Sequence, residues 1–233
     1  MKRFAVVAVA AAGLALAGSA SASTNLITNG SFESGTLSWT YTGSGADVGP
    51  SGHPAVVIPY NSPSGYPGGA FGEPIPPDNA LSASPDPTGN FGLYFVADAS
   101  TETLSQTVFL NPGLYTIGFD AYVPFNGHAN SGDATFTGTV AGVDLANFSA
   151  HGSTPGVWTA YSGVANILTA GNYTTSFTYH SGAAPAADFV VDRAYIVAGD
   201  VVPEPAGWAL MILGFGGAGA ALRNRRQRRA LAA

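Results

Sequence analysis

The stretch Gly113-Leu114-Tyr115-Thr116-Ile117-Gly118-Phe119-Asp120-Ala121-Tyr122-Val123 alternates with a period of two. Tyr115, Ile117, Phe119, Ala121 and Val123 fall on one side of an extended chain, and Thr116, Gly118, Asp120 and Tyr122 on the other, because successive side chains of a strand point to opposite faces. A helix would instead repeat its apolar residues three and four apart. The stretch therefore predicts a strand over 113–123 with one face on a core. Asn111-Pro112-Gly113 ahead of it reads as a tight turn, with 103–110 as the hairpin partner.

The same alternation returns further along. Tyr173, Thr175, Phe177 and Tyr179 oppose Thr174, Ser176, Thr178 and His180, and Phe189, Val191 and Tyr195 alternate near the end of the domain. Segments 25–32, 91–97, 134–148 and 157–161 are further strands by this criterion. Charged residues make up only 9% of the chain, glycine numbers 31, and no helical periodicity shows between the two ends. The fold class is all-β, a two-sheet antiparallel β-sandwich of jelly-roll-like type. The pattern breaks between residues 49 and 90, where ten of the sixteen prolines lie. That window reads as one long loop, functional or poorly ordered.

The two ends have a different character. Lys2 and Arg3 precede an apolar run over 4–17, and Ala20-Ser21-Ala22 offers a small-residue cleavage site, so residues 1–22 read as a secretory signal peptide. Near the other end, residues 206–222 carry no charge and are followed by Arg223, Arg225, Arg226, Arg228 and Arg229. As a helix this run reaches roughly 26 Å against a bilayer core of about 30 Å. The arginines (223–233) hold that end in the cytoplasm, and Trp208 marks the opposite interface. Seven of the eight basic residues lie in these two ends. The domain over 23–202 keeps Arg193 alone against thirteen of the fourteen carboxylates. So acidic a domain is a poor partner for nucleic acid and a better one for divalent cations. Without cysteine, its stability rests on its core or on bound metal.

Pro203-Glu204-Pro205, then Trp208-Ala209, a short Gly-rich span and the cluster that includes Arg223, Arg225 and Arg226 resemble the PEP-CTERM sorting signal over residues 203–233. The resemblance implies recognition in the inner membrane by an exosortase, a membrane cysteine protease, and release to the cell surface or an exopolysaccharide matrix. An ordinary C-terminal anchor is the alternative. Residues 214–219 also spell G-x-G-x-x-G, but with no preceding strand they do not make a dinucleotide loop.

Asn25-Leu26-Ile27-Thr28-Asn29-Gly30-Ser31-Phe32-Glu33, Trp39, Val157-Trp158 and Val190-Val191-Asp192-Arg193-Ala194-Tyr195 resemble the outline of carbohydrate-binding-module-type jelly rolls. The resemblance implies adjacent first and last strands and a structural Ca²⁺ beside them. Glu33 and Asp192 are its candidate ligands. Arg193 departs from the pattern, since a positive charge there opposes a metal.

No Gly-x-Ser-x-Gly, no H-E-x-x-H and no cysteine are present, and His53, His128, His151 and His180 stand singly, so the signatures of common catalytic sites are missing. Asp47, Asp98 and Asn130-Ser131-Gly132-Asp133 are open to metal or are solvated turn residues. Sugars are commonly held by aromatic rings with polar groups around them. Trp39 and Trp158 read as core, whereas Tyr60, Tyr66 and Phe71, spaced by Pro and Gly in the loop, are the candidate glycan contacts unless the loop packs onto its own sandwich. The expectation is an exported, non-catalytic surface or matrix protein that binds exopolysaccharide. The alternatives are an adhesive protein joined by Ca²⁺-dependent self-association, and a polysaccharide hydrolase or lyase.

Overall fold

A computed structural model describes residues 23–49, 51–199 and 215. The expected signal peptide (1–22), the Pro203-Glu204-Pro205 motif, the arginine tail and, Phe215 apart, the membrane helix lie outside them. Ten strands form: β1 (Thr40–Gly45), β2 (Val56–Pro59), β3 (Phe91–Phe95), β4 (Ser100–Leu110), β5 (Gly113–Tyr122), β6 (Ala134–Val140), β7 (Val143–Ser149), β8 (Thr159–Ile167), β9 (Gly171–Ser181) and β10 (Phe189–Ala198). One helical turn, α1 (Phe125–His128), follows β5. The first sheet runs β1-β4-β9-β6-β7 and the second β2-β3-β10-β5-β8, a two-sheet antiparallel sandwich of jelly-roll type.

The period-two pattern becomes two cores. Tyr115, Ile117, Phe119 and Ala121 of β5 meet Leu104, Phe136 and Phe177 of the first sheet between the layers. Phe119, Phe136 and Phe177 lie with ring centroids 5.0 to 6.0 Å apart, within the range where aromatic pairs add to simple burial. Trp39 belongs to this core. The other side of β5 is not solvent-facing. Tyr122 joins Ile58, Tyr60, Ile75, Tyr94, Trp158 and Val190 in a second core on the outer face of the second sheet, roofed by the proline-rich segment. The Trp158 indole N–H donates to the Pro76 carbonyl at 2.9 Å, so Trp158 is core, but under this roof rather than between the sheets. The roof also supplies β2, an edge strand paired with β3, inside the window read as loop.

Three other expectations are corrected. β4 and β5 are no hairpin: β4 pairs with β1 and β9, β5 with β8 and β10. The Asn111-Pro112 turn carries the chain from one sheet to the other. Segment 25–32 is turns, with a single bridge from Asn25 to Val197. It brings the start of the domain beside β10, where Gly30 lies so close that a Cβ would sit 2.0 Å from the Ala194 carbonyl oxygen. Segment 134–148 is two strands joined by Ala141-Gly142, both at positive φ (51° and 76°), as a tight type I′ hairpin turn requires.

The alternation in β10 also breaks. Phe189 and Val191, then Ala194 and Ile196, face the core between the sheets, so the pattern slips by one residue at Asp192-Arg193. Arg193 has φ 50°, and an extra residue in the left-handed region is how a bulge produces such a slip. Tyr195, expected beside Phe189 and Val191, is thereby turned to the outer face.

Candidate functional site

Glu33 and Asp192 hold chain segments in place. Glu33 Oε1 accepts from the backbone N–H groups of Asn90 (2.7 Å) and Phe91 (3.0 Å), tying the end of the roof to β3. Asp192 is fully buried. Its Oδ2 accepts from the Tyr60 hydroxyl at 2.5 Å and its Oδ1 from Arg193 N–H at 2.7 Å. Burial holds its carboxyl well above the usual range, although both bonds oppose this. A Ca²⁺ needs six to eight oxygens free to turn toward it, so at this pair it would displace the Tyr60 hydroxyl and three backbone amides. The pair as placed does not fit the ion, and among the described residues no three His, Cys, Asp or Glu side chains are grouped to hold one.

Arg193 clamps the roof. From the bulge its guanidinium reaches the carbonyls of Asp86 (3.3 Å) and Ala80 (3.4 Å) and lies 3.7 Å from Asp78 Oδ2 and 3.5 Å from Asp120 Oδ2. Both carboxylates are buried. Burial and the neighbouring Asp78 push Asp120 up, against the pull of Arg193. The single cation of the domain thus joins β5, β10 and the roof.

Of the three loop aromatics, Tyr60 is 8% exposed and belongs to the second core. Its ring packs edge-on to Trp158, so it presents no face to a sugar. Tyr66 is half-buried, its hydroxyl donating to the Pro54 carbonyl at 2.8 Å. Phe71 is 49% exposed and lies nearly parallel to Tyr66, with centroids 6.1 Å apart and an interplanar angle of 18°. His53 packs on both, at 4.9 and 5.6 Å. The structure therefore unites Tyr66, Phe71 and His53 and sets Tyr60 apart from them.

Phe71 and His53 stand at a cleft of about 320 Å³. Asp47, Asp98 and Asp188 also line it, with Asn126 and Gly127 of α1 and Asn130 just beyond. Asp47 takes the His53 Nδ1 at 2.8 Å and the Asp98 N–H at 3.1 Å. Asp98 Oδ1 accepts from Ala186 N–H at 2.7 Å. α1 is fixed by Glu73, whose two carboxylate oxygens accept from Phe125 and Asn126 N–H at 2.9 and 2.7 Å. It sits directly on Asp188, and a Cβ at position 127 would lie 2.6 Å from the Asp188 carboxyl carbon. The Asp188 carboxyl is bonded through Oδ2 by the Tyr94 hydroxyl, and its Oδ1 has no hydrogen-bond partner. Burial, helped by Asp98 and Glu73, pushes it up to about 7.

Sequence reasoning weighed Asp47, Asp98 and Asn130 for metal, and missed their convergence with Asp188 and His53. The available signal was local: Ala186-Ala187-Asp188-Phe189-Val190-Val191 sets a carboxylate at the mouth of a buried apolar run, where charge is costly unless it has a role.

Residues 201–226 match the PEP-CTERM protein-sorting motif, a span that contains Pro203, Glu204, Pro205, Trp208, Ala209, Arg223, Arg225 and Arg226. No curated protein matches the chain in sequence. Among solved structures, the chain is similar to TmCBM61 in complex with beta-1,4-galactotriose, at 16% identity and a TM-score of 0.44, covering 76% of this chain and 99% of that one. It is also similar to Family 16 Carbohydrate Binding Module-2, at 17% identity and a TM-score of 0.41, covering 74% and 99%. The K3 cleaved adhesin domain of Lys-gingipain from Porphyromonas gingivalis gives 15% identity and a TM-score of 0.43, covering 76% and 99%.

Proposed function

We propose that this chain is an exported, non-catalytic surface or matrix protein that binds an extracellular polysaccharide in the Phe71 cleft. The sorting motif at residues 201–226 implies an exported protein transiently anchored in a membrane. Exosortase processing at the inner membrane would then release the domain. The observation that carries the binding reading is Phe71, a half-exposed ring at the lip of a cleft with carboxylates and amides beside it. A large aromatic left half in water loses burial energy. Tyr66 and His53 hold this one in a fixed orientation. Such a platform is what a pyranose C–H face stacks on, while the polar groups take its hydroxyls.

Affinity electrophoresis tests this with the chain over 23–202, run through gels containing the producing cell's exopolysaccharide, with Ca²⁺ and with chelator. The expected result is retardation that survives chelator and is lost in Phe71→Ala while near-ultraviolet circular dichroism stays unchanged. Unaltered mobility of the folded wild type would overturn the reading. Retention that vanishes only with chelator would favour Ca²⁺-dependent self-association.

A further inference from the structure

We infer that the Phe71 cleft selects a polysaccharide bearing free primary ammonium groups, an amino-sugar polymer, over a neutral one. This deepens the glycan-binding reading and rests on it.

The charges argue for it first. Asp47, Asp98 and Asp188 line one cleft, and among the described residues the basic side chain set against them is the His53 imidazole, its Nδ1 2.8 Å from Asp47. Arg193, the single Lys or Arg between residues 23 and 202, is engaged at Asp78 and Asp120. Asp188 makes the second, independent point. It is 3% exposed, and Oδ1 has no hydrogen-bond partner. A buried acceptor left unpaired costs free energy that a donor entering the cleft would recover. Gly127 keeps α1 pressed against this carboxyl, where any larger residue would collide with it.

The kind of cation follows from geometry. A metal ion needs several oxygens converging on one point, and no three His, Cys, Asp or Glu side chains among the described residues do so. An ammonium group has three N–H donors that reach acceptors singly. On a sugar it is attached to a ring that lies flat on an aromatic, and Phe71 offers that face beside the carboxylates. A lysine side chain supplies the charge but no ring for Phe71.

The test uses the full chain in non-ionic detergent, titrated calorimetrically with a β-1,4-linked glucosamine hexamer and with its fully N-acetylated counterpart, at low and at high salt. The expected result is at least about tenfold tighter binding of the glucosamine hexamer at low salt, shrinking at high salt where charges are screened. Asp188→Asn and Asp98→Asn, which keep the acceptors for Tyr94 and Ala186, are each expected to erase most of that preference. Phe71→Ala is expected to weaken both hexamers. Equal or tighter binding of the acetylated hexamer overturns the ammonium inference and leaves glycan binding intact. Binding of polylysine as tightly as the glucosamine hexamer, indifferent to Phe71→Ala, overturns it as unspecific charge attraction. Failure of both hexamers overturns it too, and retardation by the native exopolysaccharide then decides separately whether the glycan reading stands.

Discussion

Asp188 is a residue on which the fold and the site make opposite demands. Burial lifts its carboxyl from the ordinary 3.8 to about 7. The folded chain therefore keeps a proton that the unfolded chain has already released, and between those two values the native state binds more protons. Stability falls with rising pH wherever that holds. The contribution is fully present below about pH 4, declines through the window up to about 7 and is level above it. Asp120 and Asp192 are raised by burial as well and act with the same sign. The unfolding temperature of the wild type is expected to drop from pH 5 to pH 8. Asp188→Asn, neutral at every pH, should be close to wild type near pH 4 and more stable by about 1–3 kcal/mol at pH 8. Parallel pH profiles for the two proteins would show that Asp188 takes up no proton on folding. A chain that keeps such a residue forgoes stability at neutral pH, which fits a carboxyl kept for a ligand.

At the scale of the element, β10 shows what sequence could and could not convey. Its run of apolar residues announced a strand, and nine consecutive buried positions confirm one enclosed on both faces. The slip at Asp192-Arg193 was invisible, because a bulge is a backbone event that leaves residue types unchanged. Tyr195 was therefore assigned to the wrong face. The β4–β5 connection failed for a related reason: Asn111-Pro112-Gly113 is turn chemistry whether the next strand pairs or crosses to the other sheet. Arg193, read only as a departure from a metal-binding pattern, is what the bulge positions. It faces two buried carboxylates and two roof carbonyls. Arg193→Met leaves buried acid without its cation, and a loss of about 3–5 kcal/mol is expected in urea unfolding. In an Asp120→Asn background the same change should cost markedly less. Equal losses in both backgrounds would mean that Arg193 acts through Asp78 and its carbonyl contacts and not through Asp120.

For the whole molecule, legibility ran in the opposite direction. The ends are read by composition and order, which need no tertiary contact, and residues 201–226 match the sorting motif recognised there. The cleft is read only after folding, since it assembles residues from positions 47 to 188. Tyr60 illustrates the cost of reading the roof as loop: packing the roof onto the second sheet buried it, and left Phe71 at the rim. On the proposed function the domain and the tail are linked, because a domain that binds matrix polysaccharide would serve it only after release from the membrane. Changing Pro203, Glu204 and Pro205 together to alanine alters the Pro-Glu-Pro of the sorting motif and leaves every residue named in the cleft unsubstituted. The variant is expected to remain in the membrane fraction at its unprocessed size and to disappear from the extracellular matrix. The wild type, by contrast, should appear there shortened by the tail. The membrane-held variant, solubilised in detergent, should still be retarded by exopolysaccharide, which separates sorting from binding. If immunoblots show identical size and fractionation for both proteins, the tail works as a plain anchor, and the binding domain acts at the membrane surface instead of in the matrix.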